Sequence, residues 1–184
     1  YLVMAFWAVI GWAFKTRLAS MVARSLAPTG AMFTVVALWT GALWGKPTWG
    51  TWWVWDGRLT SMLVLLFLYL AYIALAQAAD RDSQGSGQSR IPAIFGLVGA
   101  INIPIIHYSV LWWNSLHQPP SIAMGKSAMA PVFLYGLLAA SLGFSLIFGG
   151  VVLTRMRTIL ANAQAEARLR RKALQEDFGE LEDA

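Results

Sequence analysis

Trp44-Gly45-Lys46-Pro47-Thr48-Trp49-Gly50-Thr51-Trp52-Trp53-Val54-Trp55-Asp56 sets five tryptophans within twelve residues, between two apolar stretches of the kind that cross a bilayer. The run is too aromatic for an ordinary exposed loop, and its Gly and Pro residues argue against a helix interior. An indole has a broad apolar face and one N–H donor, which suits a boundary that is half apolar and half wet. One or two such rings would anchor a segment at a membrane surface. Five together, closed by an acid, suggest a shelf for a large, flat, apolar ligand.

Working outward, the flanks define the class. Hydrophobic residues are 58% of the chain and charged residues 12%, and the mean hydropathy is +0.56, well above the range of soluble domains. Five apolar segments follow: Tyr1 to Phe14, Pro28 to Trp44, Leu59 to Ala78, Ile91 to Leu111 and Pro131 to Leu153. Unpaired backbone is costly in lipid, so each is expected as a helix, and the fold class is an all-α, polytopic transmembrane helix bundle. Lys15 to Ala27, the tryptophan loop (44–58), Asp80 to Arg90 and the loop 112–130 are read as connections. Residues 1–154 thus form the membrane domain and 155–184 a charged tail. The first segment has 14 residues, short of the ~20 that span the hydrocarbon core, and the chain opens on Tyr1 with no basic n-region. The sequence is therefore expected to be a piece of a longer protein that begins inside or just after a helix.

Charge gives orientation. Eleven Lys and Arg lie in 15–24, 81–90 and the tail, against three (Lys46, Arg58 and Lys126) in the other two connections. The positive-inside rule places the first group in the cytoplasm, so the tryptophan loop and the 112–130 loop are expected together on the outer, periplasmic side of a bacterial inner membrane. The basic residues sit beside apolar spans, so the net charge of +5 points to membrane lipid and not to nucleic acid. With no cysteine, disulfides and thiolate metal sites are excluded.

Two histidines are available, both near the outer face: His107, three residues after Pro104, and His117, ahead of Pro119-Pro120. An imidazole at a membrane edge beside an aromatic shelf suits an axial haem ligand. For His117 the residues alone leave ligand and solvated loop histidine both open. For His107, inside a span, a structural or supporting role is favoured over ligation. Asp56 pairs with Arg58, caps the next helix, or positions the loop while Arg58 or Lys46 meets a propionate. The outer loops offer one acid, Asp56, and no Ser/His/Asp arrangement is apparent, so hydrolytic chemistry has almost nothing to work with.

The run Trp-Gly-Thr-Trp-Trp-Val-Trp-Asp-Gly-Arg-Leu-Thr-Ser from Trp49 resembles the tryptophan-rich "WWD" signature of haem-handling membrane proteins. Together with Ala42 to Pro47 before it, and Asn102 to Ile106 and Trp112 to Pro119 after it, the chain is similar over about residues 1–157 to the CcmC family of cytochrome c maturation. The resemblance implies six transmembrane helices in the intact protein, and haem b held between the WWD loop and two flanking histidines. It implies delivery of that haem to the chaperone CcmE beside the CcmA/CcmB transporter and CcmD. Carried onto this chain, the cofactor-binding residues are Trp49, Gly50, Trp52, Trp53, Trp55, Asp56 and His117, with His117 the axial ligand to iron. The family's upstream histidine has no counterpart here and is expected before Tyr1. His107 matches no ligand position of the family. Haem lyases or synthases sharing the WWD loop, and a permease with purely interfacial aromatics, are the competing readings.

Overall fold

The computed structural model describes residues 1–82, 90–113, 115–117, 122–123, 126–127 and 129–182. Among these described residues five helices carry the fold: α1 (Leu2–Ala13), α2 (Arg17–Trp49), α3 (Gly57–Asp82), α4 (Arg90–Trp112) and α5 (Pro131–Glu182). Between α4 and α5 a two-residue antiparallel ladder joins β1 (Ile122–Ala123) to β2 (Lys126–Ser127). The expected all-α membrane bundle is what forms. Four of the helices are long and apolar enough to cross a membrane, and α1, with 12 residues, is a shorter apolar helix.

Three boundaries differ from the sequence expectation. Lys15 to Ala27 was expected as a connection, but the chain turns within Phe14 to Thr16, where Lys15 adopts a positive φ of 52°, and α2 begins at Arg17. Nothing from Arg17 to Ala27 breaks a helix, and its Ala, Leu, Met and Val residues favour one. Pro28, the first residue of the second apolar segment, lies inside α2. It forfeits one i→i−4 bond, a cost that the packed neighbours of a membrane helix can absorb. At the other end α2 runs through Gly45, Lys46 and Pro47 to Trp49, so the first two indoles of the tryptophan run stand on a helix. Gly50 ends it in the left-handed conformation (φ 78°, ψ −1°), with its N–H donating to the Lys46 carbonyl at 3.0 Å. The tail also continues α5 without a break at residue 154.

Packing explains where the site sits. Helices α1 to α4 form a ring in which α1 meets α2 and α4, and α3 meets the same two; α5 lies outside it against α2. The core is built from small residues and a few large ones: Met4 and Ala8 of α1, Ala23, Ala27 and Ala31 of α2, Leu65, Tyr69 and Tyr72 of α3, and Ala93 of α4. Small residues let helix backbones approach closely in lipid, where no hydrophobic force pushes helices together. The buried Asn102 amide donates to the Ser61 carbonyl at 2.9 Å, tying α4 to α3. Phe33 meets Phe144 and Phe148 at 6.0 and 5.9 Å, and Val152 is buried; the rest of α5 as far as Gln175 is almost wholly exposed. The α3–α4 contact brings the start of α3 beside the end of α4, and so the tryptophan loop beside the histidine loop.

Candidate functional site

Asp56 precedes α3 by one residue and is 6% exposed. Its Oδ1 accepts the Leu59 N–H at 2.8 Å, the side-chain bond of a helix N-cap. Its Oδ2 receives two groups from the other loop, the Ser115 hydroxyl and His117 Nδ1, the latter at 2.7 Å. Ser115 Oγ also lies 3.1 Å from His117 Nδ1 and accepts the His117 backbone N–H at 3.1 Å. This local Ser-x-His turn aims the imidazole back at the acid. Burial pushes the Asp56 carboxyl upward, but the Ser115 hydroxyl, the Leu59 amide and His117 outweigh it and hold the group below its ordinary range. Of the roles left open for Asp56, capping of the next helix is the one that forms, while no Asp56–Arg58 ion pair is present and both carboxylate oxygens are engaged elsewhere.

The indoles arrange around this latch in two sets. Trp49, at the last position of α2, meets the His117 ring edge-to-face at 4.6 Å, and Trp44 meets Trp49 at 5.2 Å. Trp53 and Trp55 form a second edge-to-face pair at 5.5 Å. Trp52 is exposed beneath the Lys46 ammonium, 6.0 Å from its ring, and Lys46 also donates to the Gly50 carbonyl at 3.0 Å. Lys46 thus closes the C-terminus of α2, where a cation complements the helix dipole. Thr51 Oγ1 donates to the Trp53 carbonyl at 3.0 Å, shaping the loop. Trp113 packs over the start of α3: a Cβ on Gly57 would meet its ring at 3.0 Å.

The sequence-predicted residues therefore divide. Trp49, Asp56 and His117 come together; Trp52, Trp53 and Trp55 lie in the same loop; Gly50 serves as the helix terminator. Ser115 and Trp113 were missed, although the Ser-x-His spacing was visible beside the only loop histidine, and the expectation of no Ser/His/Asp arrangement is overturned: Ser115 and Asp56 both meet His117, but at the same ring nitrogen, Nδ1, so the three do not form a nucleophile–base relay. His107 does not support this cluster: its side chain is exposed on α4 with Tyr108 at 4.8 Å, whereas Asn102 and Ser109 on that helix are buried. Asn114 and Gln118 to Pro120 lie outside the described residues. A cavity of about 420 Å³ between α2, α3 and α5, lined by Phe33, Thr34, Met62, Tyr69 and Phe148, holds no histidine and is separate from this cluster.

The donor set suits a metalloporphyrin. Because Nδ1 of His117 is bound to the carboxylate, Nε2 is the ring nitrogen left to meet a metal. Aromatic rings adjoin it, and the buried Trp53 Nε1 has no acceptor among the described residues. A carboxylate on an entering ligand would supply the missing partner.

The chain is similar to known proteins over most of its length. A family model described as "Heme exporter protein C" matches residues 1–171. The protein of that name from Bradyrhizobium diazoefficiens is 50% identical over 141 residues, 76% of this chain and 52% of the relative. That of Escherichia coli K12 is 48% identical over 160 residues, 87% of this chain and 63% of the relative. A putative cytochrome c biosynthesis ccmC-like mitochondrial protein of Marchantia polymorpha is 43% identical over 140 residues, 73% of this chain and 57% of the relative. The chain thus spans between about half and two thirds of the length of these relatives.

Proposed function

The chain belongs to the haem exporter protein C family, and from that premise we propose that it is a membrane subunit of cytochrome c maturation that holds haem b at the periplasmic surface for transfer to the chaperone CcmE. The observation that carries the reading is the ring contact between Trp49 and His117, which joins the shelf to the prospective ligand. Indoles of residues 49–55 bury the porphyrin faces and edge, His117 Nε2 holds the iron, and Trp53 Nε1 is available to a propionate. When bound, the haem supplies the group to be transferred; the protein orients it and keeps one edge accessible. The bond-forming residue belongs to the partner, so this chain performs no catalysis of its own.

The charge bias of the connections supports a periplasmic site and a cytoplasmic tail in the inner membrane. CcmA, CcmB and CcmD are the partners this reading carries with it. The test is a visible spectrum of the purified protein with added haemin. Stoichiometric haem is expected, with ligand-field bands altered by His117→Ala and unaltered by His107→Ala. Absence of stoichiometric haem would make the protein a permease with interfacial aromatics, and silence of His117→Ala would remove the ligand assignment.

A further inference from the structure

Resting on the haem-ligand reading above, we propose that Asp56 is a positioning residue for the iron ligand, and that Ser115 sets how much of its negative charge reaches the imidazole. A carboxylate can only accept, so the 2.7 Å contact fixes the proton on His117 Nδ1 and leaves the lone pair on Nε2. Charge on the acceptor strengthens the ring as an electron donor. Ser115 bonds the same oxygen, Oδ2, and draws part of that charge away.

The carboxylate cannot turn out of this arrangement, because Oδ1 is held by the Leu59 amide at the start of α3. Asp56 is also nearly inaccessible, so it acts through His117 and not by touching the ligand. The terminal acid of the tryptophan run thereby acquires a reason to be there: one side chain orders its own loop and sets the tautomer of a histidine 61 residues away.

Two variants with opposite expected signs test this in the purified full chain. Asp56→Asn keeps the N-cap, since Asn caps as well as Asp, but removes the charge and can serve only one of the donors that face it. It is expected to weaken haemin affinity by roughly 10- to 100-fold and to raise the midpoint potential of the haem that still binds. Ser115→Ala leaves the Asp56–His117 pair in place and frees Oδ2 of its competitor, so the potential is expected to fall. A merely structural role for Asp56 would not produce shifts of opposite sign. Unchanged affinity and potential in Asp56→Asn, with His117→Ala still abolishing the ligand band, would overturn the inference while leaving the haem site standing. A silent His117→Ala would overturn both. Should Asp56→Asn fail to fold, the sign of the Ser115→Ala shift decides alone.

Discussion

At the scale of single residues, the site depends on positions where backbone and side chain do two tasks at once. Gly50 ends α2 at φ 78°, a conformation that costs an L-residue roughly 1 kcal/mol or more. Gly50→Ala is expected to destabilise the loop by about that amount, seen as a lower thermal midpoint with haemin affinity reduced in parallel. Asp56 gives a pH dependence with a definite sign. Its folded pKa is depressed by Ser115, Leu59 and His117 acting against burial. The stability it contributes is therefore complete above the unfolded value of about 3.9 and lost as pH falls through the lower folded value. Tryptophan fluorescence should change in this acid window, and Asp56→Asn should abolish that transition. The sequence made Asp56 and His117 visible as candidates but not as partners, because nothing local links positions 61 residues apart.

At the scale of elements, helix order and the apolar stretches were legible from composition, because lipid leaves the backbone few alternatives. The helix ends were not. Pro28 and Pro47 both read as punctuation and both lie inside α2. Proline in a membrane helix removes one bond that neighbouring helices and hydroxyls can compensate, so its value as a boundary signal falls. Pro28→Ala is accordingly expected to leave the fold intact, with unchanged helical circular dichroism. The α3–α4 pair is different, since its buried bond from Asn102 to the Ser61 carbonyl has no local substitute. Asn102→Ala should cost about 1 kcal/mol, within the range of interhelical hydrogen bonds in membranes. Because α3 and α4 carry the two loops, His117-dependent haemin affinity should fall with it.

At the scale of the whole molecule, α1 to α4 form the body and α5 packs chiefly on α2, its outer faces exposed. Removing residues 160–184 should leave the haemin spectrum unchanged, because no described residue of that segment contacts the Asp56–His117 latch. The latch joins loops that leave the ribosome far apart in time. At roughly 5–20 residues per second, the acid emerges some 3–12 seconds before its imidazole partner, with α3 and α4 made in between. The pocket therefore matures late in biogenesis: the earlier hairpin can insert and settle first, and the ligand-holding corner closes only when the fourth helix arrives.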